Sequence, residues 1–204
     1  MIQYERVLVR LQSDLVQIRA RWALIGGLAV SIRSEPRTTF DIDIVVSVES
    51  DPEAERVVRA LCERGYSVLR LLEQEATGRL AGARLAPAPE AGDAPIRILF
   101  ASSGIEDTIV GESELVKALG DLVLPVAAAG HLIALKVLAC QADRPQGKID
   151  AMGLLAGASL SERERARIAL DRIERRGFDR GKNLQRELAE LIGEVERSSR
   201  SIDP

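Results

Sequence analysis

The stretch from Ala23 to Val48, ALIGGLAVSIRSEPRTTFDIDIVVSV, limits what this chain can fold into more than any other. Leu24 and Ile25 lead into Gly26-Gly27, and Leu28, Ala29, Val30 and Ile32 follow at helical spacing, which predicts a strand, a tight turn and a helix. A glycine pair at that turn lets backbone N–H groups approach a ligand with no Cβ in the way. The new helix adds a partial positive charge at its N-terminus. Together these predict an anion site, for phosphate above all. Taken alone, the pair also fits a turn that carries glycines only for its geometry.

Thr38 to Val48 alternates and is rich in β-branched residues, which predicts a strand. The period of two puts Asp41 and Asp43 on one face, about 7 Å apart. Neighbouring like charges repel in a sheet, so something must compensate them. Divalent cations would do so, since Mg²⁺ takes one or two carboxylates plus substrate phosphates, and two-metal sites serve phosphoryl transfer. The plain alternative is a half-exposed strand with two solvated aspartates. The chemical reading requires both carboxylates to face the turn at Gly26-Gly27.

Gly26-Gly27 followed after thirteen residues by Asp41-Ile42-Asp43 resembles the signature of the polymerase-β-like nucleotidyltransferase superfamily. Pro36-Arg37-Thr38-Thr39-Phe40-Asp41-Ile42-Asp43 is similar to the form found in AbiEii-like toxins and their small bacterial relatives. Leu99 to Glu106 and His131 to Lys136, with Arg144 and Asp150 beyond, resemble the same group, so the likeness covers about residues 20 to 155. The resemblance implies transfer of a nucleoside monophosphate from an NTP to a hydroxyl of RNA, tRNA included, or of a protein. It also implies a toxin role with an antitoxin partner.

The same resemblance implies Asp41 and Asp43 as catalytic carboxylates that hold Mg²⁺ or Mn²⁺, with Gly26 and Gly27 cradling phosphate. Arg37 and Thr39 would steady the strand and the phosphate loop, and Lys136 would reach the β- and γ-phosphates. Arg144 and Asp150 would help shape the nucleotide pocket, with helix capping as a second reading of Asp150. The chain departs from the pattern at position 97, where a third carboxylate is expected and Arg97 stands. Asp93 shares its strand parity, but Pro95 interrupts. Arg97 would instead bind the triphosphate through its guanidinium fork. Two further readings follow: a nucleotide-binding pseudoenzyme, and an interaction protein in which these residues are incidental.

With 204 residues, the chain is long enough for one sizeable core or a domain with a helical appendage. A formal charge of −3 gives no global attraction to nucleic acid or anionic membrane, so any polynucleotide would be held by a local patch. Cys62 and Cys140 fall on apolar helical patterns and are expected to be buried thiols. The N-terminus has no signal-peptide pattern, which predicts the cytoplasm. Pro125, His131 and Lys136 interrupt the longest apolar run, Leu122 to Cys140, which argues against a membrane span.

The expected fold class is α/β (α+β). A small mixed β-sheet of nucleotidyltransferase type, flanked by helices, occupies residues 1–125, and a C-terminal helical bundle occupies 126–204. Helices are expected over Met1–Arg21, from a Ser50 cap to Gly65, over Gly130–Ala142, from a Ser161 capping box to Arg176, and over Leu184–Val195. Strands are expected at Val68–Leu72, Arg79–Leu85, Ile96–Ala101 and Leu122–Ala127, with Ile96–Ala101 beside the aspartate strand. Glu106, Asp107, Glu112 and Glu114 read as a solvated acidic surface, and Arg175, Arg176, Arg180 and Lys182 as a local basic cluster.

Overall fold

Near-continuous runs of Ile, Val, Leu and Ala build a mixed sheet of seven strands among the described residues. The computed structural model describes residues 2–74, 78–141 and 145–200. They fall into two compact units, one of Met1–Ala29, Arg37–Ser102 and Glu106–Ala127, the other of Val30–Pro36, Ser103–Ile105 and Ala128–Pro204.

The first unit holds the sheet. Strand β1 (Arg21–Ile25) pairs antiparallel with β2 (Ile42–Ser47) and parallel with β7 (Leu122–Val126), and β2 pairs parallel with β5 (Ile96–Leu99). Strand β4 (Leu80–Ala86) runs antiparallel to β5 and to β3 (Ser67–Glu73), and β6 (Glu114–Leu119) runs antiparallel to β7. The expected adjacency of the aspartate strand and the 96–101 strand is therefore observed. The inner strands are buried, with Ala23, Leu24, Ile42, Ile44, Ile96 and Ile98 at 0% exposure. Each such Leu or Ile side chain contributes roughly 1.5–3 kcal/mol on removal from water.

Helix α1 (Ile2–Gln17) buries Val7, Leu8, Leu11 and Leu15 on one stripe and packs on β7, while α3 (Asp51–Cys62) buries Ala54, Val57, Val58 and Leu61 and packs on β4. Asp14 is the one acid of α1 turned into the core. It is stabilised there by Arg10 Nε at 2.7 Å, by the Tyr66 hydroxyl, which donates at 3.0 Å, and by Arg64 Nε at 3.7 Å. Burial, and then the hydrogen bond to Asp14, push the Tyr66 phenol well above its ordinary value.

Several local expectations need correction. Strand β2 begins at Ile42, not Thr38, because residues 37–41 form a loop whose Thr39 carbonyl accepts a 2.5 Å hydrogen bond from Tyr4. Ser50 starts α3 but makes no side-chain cap, and Asp51 turns instead to Arg79 and the Leu80 amide. The Pro87–Pro95 connection is not simply a surface loop, since Ala88, Ala91 and Ala94 are buried. Glu106 is not solvated: it opens α4 (Glu106–Gly111), is buried, and accepts from the Ser102 amide at 2.7 Å. Strand β6 and helix α4, which packs on β1 and β2, lacked a strong periodic signal in the sequence.

Helix α2 (Gly26–Arg33) follows β1 directly. The second unit contains α5 (Ala129–Ala139), α6 (Pro145–Gly157), α7 (Leu160–Arg175) and α8 (Leu184–Arg200). Leu132, Ile133, Val137, Leu154, Leu155, Leu170, Ile173 and Leu184 form its core. Gly130 lets α5 lie against α7, since a Cβ there would be 2.4 Å from the Glu162 carbonyl oxygen. The N-cap is Ser159, not Ser161, and no capping box closes: Ser159 Oγ accepts from the Glu162 amide, but the Glu162 carboxylate accepts from the Gly130 amide at 2.5 Å. Of the expected basic cluster, Arg175 pairs with Asp171, Arg176 with the Gly104 carbonyl, and Lys182 with Glu187 and the Cys140 carbonyl, so these charges serve the unit itself. Cys62 and Cys140 are free and only half-buried. Among the described residues no helix is long and apolar enough to cross a membrane.

Candidate active site

Asp43 is the second residue of β2 and pairs in register with Ile25, the last residue of β1. That pairing brings its side chain against the first residue of the glycine turn. Gly26 has φ +67, and a Cβ there would lie 2.0 Å from Asp43 Oδ2. At Gly27 a Cβ would lie 2.6 Å from Thr39 Oγ1 and 2.9 Å from an Arg37 guanidinium nitrogen. The glycine pair therefore makes room for Asp43, Thr39 and Arg37 of the chain itself, a use the sequence reading had assigned to a ligand. Asp43 faces the turn, whereas Asp41, of which the chemical reading requires the same, turns its carboxylate to Arg84 and Arg97.

Asp41 stands just before β2. Its Oδ1 is 2.9 Å from Arg84 Nη2, and its Oδ2 is 2.8 Å from Arg97 Nη2. The other terminal nitrogen of Arg97 is 3.4 Å from Asp43 Oδ1. One guanidinium thus touches both aspartates, so the two carboxylates converge on a single point of positive charge. The compensation their repulsion demands comes here from arginines. Asp41 and Asp43 keep only 16% and 13% of their side-chain surface exposed, while Arg84 and Arg97 keep 45% and 44%. Mostly buried acids faced by half-exposed bases is the resulting arrangement.

Arg84 had no assigned role in the sequence. The alternation Ala83-Arg84-Leu85, buried-exposed-buried, shows that it faces away from the core. Only the pairing of β4 with β5, which sets Arg84 opposite Arg97, shows what it meets.

Arg37 Nη1 donates to the Thr38 carbonyl at 2.9 Å, and Thr39 Oγ1 lies 3.4 Å from the Asp41 carbonyl oxygen, so both residues brace the loop before β2. In the helical unit Lys136 Nζ is 2.8 Å from Asp150 Oδ2, with side-chain exposures of 16% and 2%. Asp150 lies within α6 and also accepts from Gln146 at 2.8 Å, so helix capping is not its role. Arg144 lies outside the described residues.

Among the described residues no group of three or more His, Cys, Asp or Glu side chains could hold a metal ion. The donor set at the sheet is two carboxylates. It suits one divalent ion completed by phosphate oxygens, at the point where the Arg97 guanidinium now stands, and offers no third carboxylate for a second ion.

The backbone is similar to that of an antigenic nucleotidyltransferase-like protein from Paracoccidioides brasiliensis, with TM-score 0.52 and 14% identity over 92% of each chain. The fold is of the nucleotidyltransferase type. The antibiotic-resistance factor ANT(2'')-Ia aligns at TM-score 0.49 and 14% identity over 100% of this chain and 97% of the other. The lincosamide antibiotic adenylyltransferase LnuA aligns at 0.48 and 14%, over 76% and 98%. The sequence matches no protein-family model and no curated protein.

Proposed function

We propose that this chain is a nucleotidyltransferase that moves a nucleoside monophosphate from an NTP to a hydroxyl of RNA, tRNA included, or of a protein. One observation carries the reading: beside the Gly26 turn, Asp41 and Asp43 present carboxylate oxygens to one cation, Arg97. Two carboxylates gathered on a point of positive charge are what the protein side of a Mg²⁺ or Mn²⁺ site supplies, with phosphates completing the shell. When bound, such an ion would neutralise phosphate charge and orient the reacting oxygens. Arg84 and Arg97 offer planar forks matched to non-bridging phosphate oxygens. Close packing of Asp43 against Gly26 fixes the angle of its carboxylate, which favours positioning over adaptability. Arg37 and Thr39 hold the approach to β2 in place.

Arg97 favours a second reading, NTP binding without transfer. A guanidinium neither ligates a metal nor accepts a proton, and it occupies the position where a third carboxylate would stand. Labelled NTPs incubated with total RNA and with cell protein separate the two. Incorporation that falls about 10²-fold or more in Asp43→Ala supports transfer. Binding without incorporation supports the second reading, and activity gained by Arg97→Asp would show a disarmed site. A chain that binds no NTP sinks both. Growth arrest on expression, relieved by Asp43→Ala and by a co-expressed antitoxin, would place it in a toxin-antitoxin pair.

A further inference from the structure

Adjacent strands in a sheet place register partners on the same face, and the four strands β3, β4, β5 and β2 bring one such row together. Arg70 is opposite Arg84, Arg84 opposite Arg97, and Arg97 opposite Asp43. The flanking Ala83, Leu85, Ile96 and Ile98 are buried, so the row lies on the open face. Three arginines side by side repel one another unless an anion lies among them. That anion is Asp41, seated between Arg84 and Arg97 with one oxygen to each. Arg70, exposed at the outer end, has no ion-pair partner among the described residues.

A carboxylate held by two guanidinium groups satisfies the same donors as the non-bridging oxygens of a phosphate. A triphosphate brings several negative charges where Asp41 brings one. Arg84 and Arg97 are long and nearly half exposed, so they can exchange one anion for the other without disturbing the core. We propose that Arg84 and Arg97, with Arg70 at the outer end, are the receptor for the phosphate chain of a nucleoside triphosphate, and that Asp41 occupies it as an internal anion until the phosphates arrive. The exchange withdraws Arg97 from Asp41 and Asp43, so the carboxylate pair takes up a divalent ion only once triphosphate is bound. This deepens the nucleotide reading and rests on it.

Inorganic tripolyphosphate in EDTA and Mn²⁺ without phosphate are the two probes. By calorimetry, Asp41→Asn is expected to bind tripolyphosphate about tenfold more tightly than the natural chain, because the competing anion is neutralised. The gain should vanish in Asp41→Asn combined with Arg84→Gln and Arg97→Gln. Arg70→Gln should weaken tripolyphosphate binding a few-fold. By electron paramagnetic resonance, the natural chain is expected to leave Mn²⁺ free, while Arg97→Gln binds it and Arg97→Gln with Asp43→Asn does not. Arg97→Met, which likewise removes the guanidinium from both aspartates, replaces Arg97→Gln in both cycles should that variant fail to fold by circular dichroism. Equal Mn²⁺ binding by the natural chain and Arg97→Gln, or weaker tripolyphosphate binding by Asp41→Asn, overturns the proposal. If NTP binding persists through that result, the nucleotide reading stands; if no NTP binds at all, that reading fails first.

Discussion

Gly26 has a left-handed backbone, and the space over it belongs to Asp43. Gly26→Ala would meet two penalties, about 1–2 kcal/mol for the backbone and about 1–3 kcal/mol for overpacking. The expected loss is roughly 3 kcal/mol in urea unfolding, with Asp43 displaced from the turn. Lys136 and Asp150 present the opposite problem, a pair held in a low-exposure setting. Lys136→Met removes the ammonium from the Asp150 carboxylate and is expected to cost about 3–5 kcal/mol, whereas Lys136→Met with Asp150→Leu should recover most of that loss. A double-mutant thermal series measures both. At this scale the Gly26 and Asp43 relation was legible, because a glycine turn ending one strand and an alternating acid on the next are local patterns. The role of Arg84 was not, because nothing in residues 79–86 names the strand beside them.

Two adjacent sequences can each form a capping box on α7, Ser159 with Glu162 and Ser161 with Glu164. Local chemistry does not choose between them. Ser159 caps the helix without closing a box, because the Glu162 carboxylate goes to the Gly130 amide, a contact 32 residues away in sequence. Ser159→Ala is expected to cost about 1 kcal/mol and Ser161→Ala to be near neutral, read from melting temperatures. The long amphipathic helices α1, α3 and α8 were readable from their apolar stripes, and the inner strands from their aliphatic runs. Strand β6 was not, because an edge strand with Leu115 77% exposed carries little of the alternation that marks a half-buried strand. Helix α4 is only six residues long, too short for its periodicity to stand out, and the burial of Glu106 depends on the Ser102 amide that it caps.

For the molecule as a whole, the Asp14 and Tyr66 contact ties folding to alkaline pH. The folded chain holds the Tyr66 proton above the ordinary phenol value of 10.0, so beyond that pH the unfolded chain binds fewer protons and stability falls. The contribution is full below about pH 10 and is lost as pH rises through the raised value. Urea midpoints across that range should decline less steeply in Tyr66→Phe, and tyrosinate absorbance should show one tyrosine ionising late. The formal charge of −3 gives no sign of an arginine row, since a net charge carries no positions. What the sequence by itself determined are the properties that repeat along the chain: helix and strand periods, and the glycine turn. The tertiary structure alone decided that Arg84 and Arg97 close over Asp41 and Asp43. That outcome depends on the order β4-β5-β2, a pairing of strands remote in sequence chosen by the burial of the whole sheet.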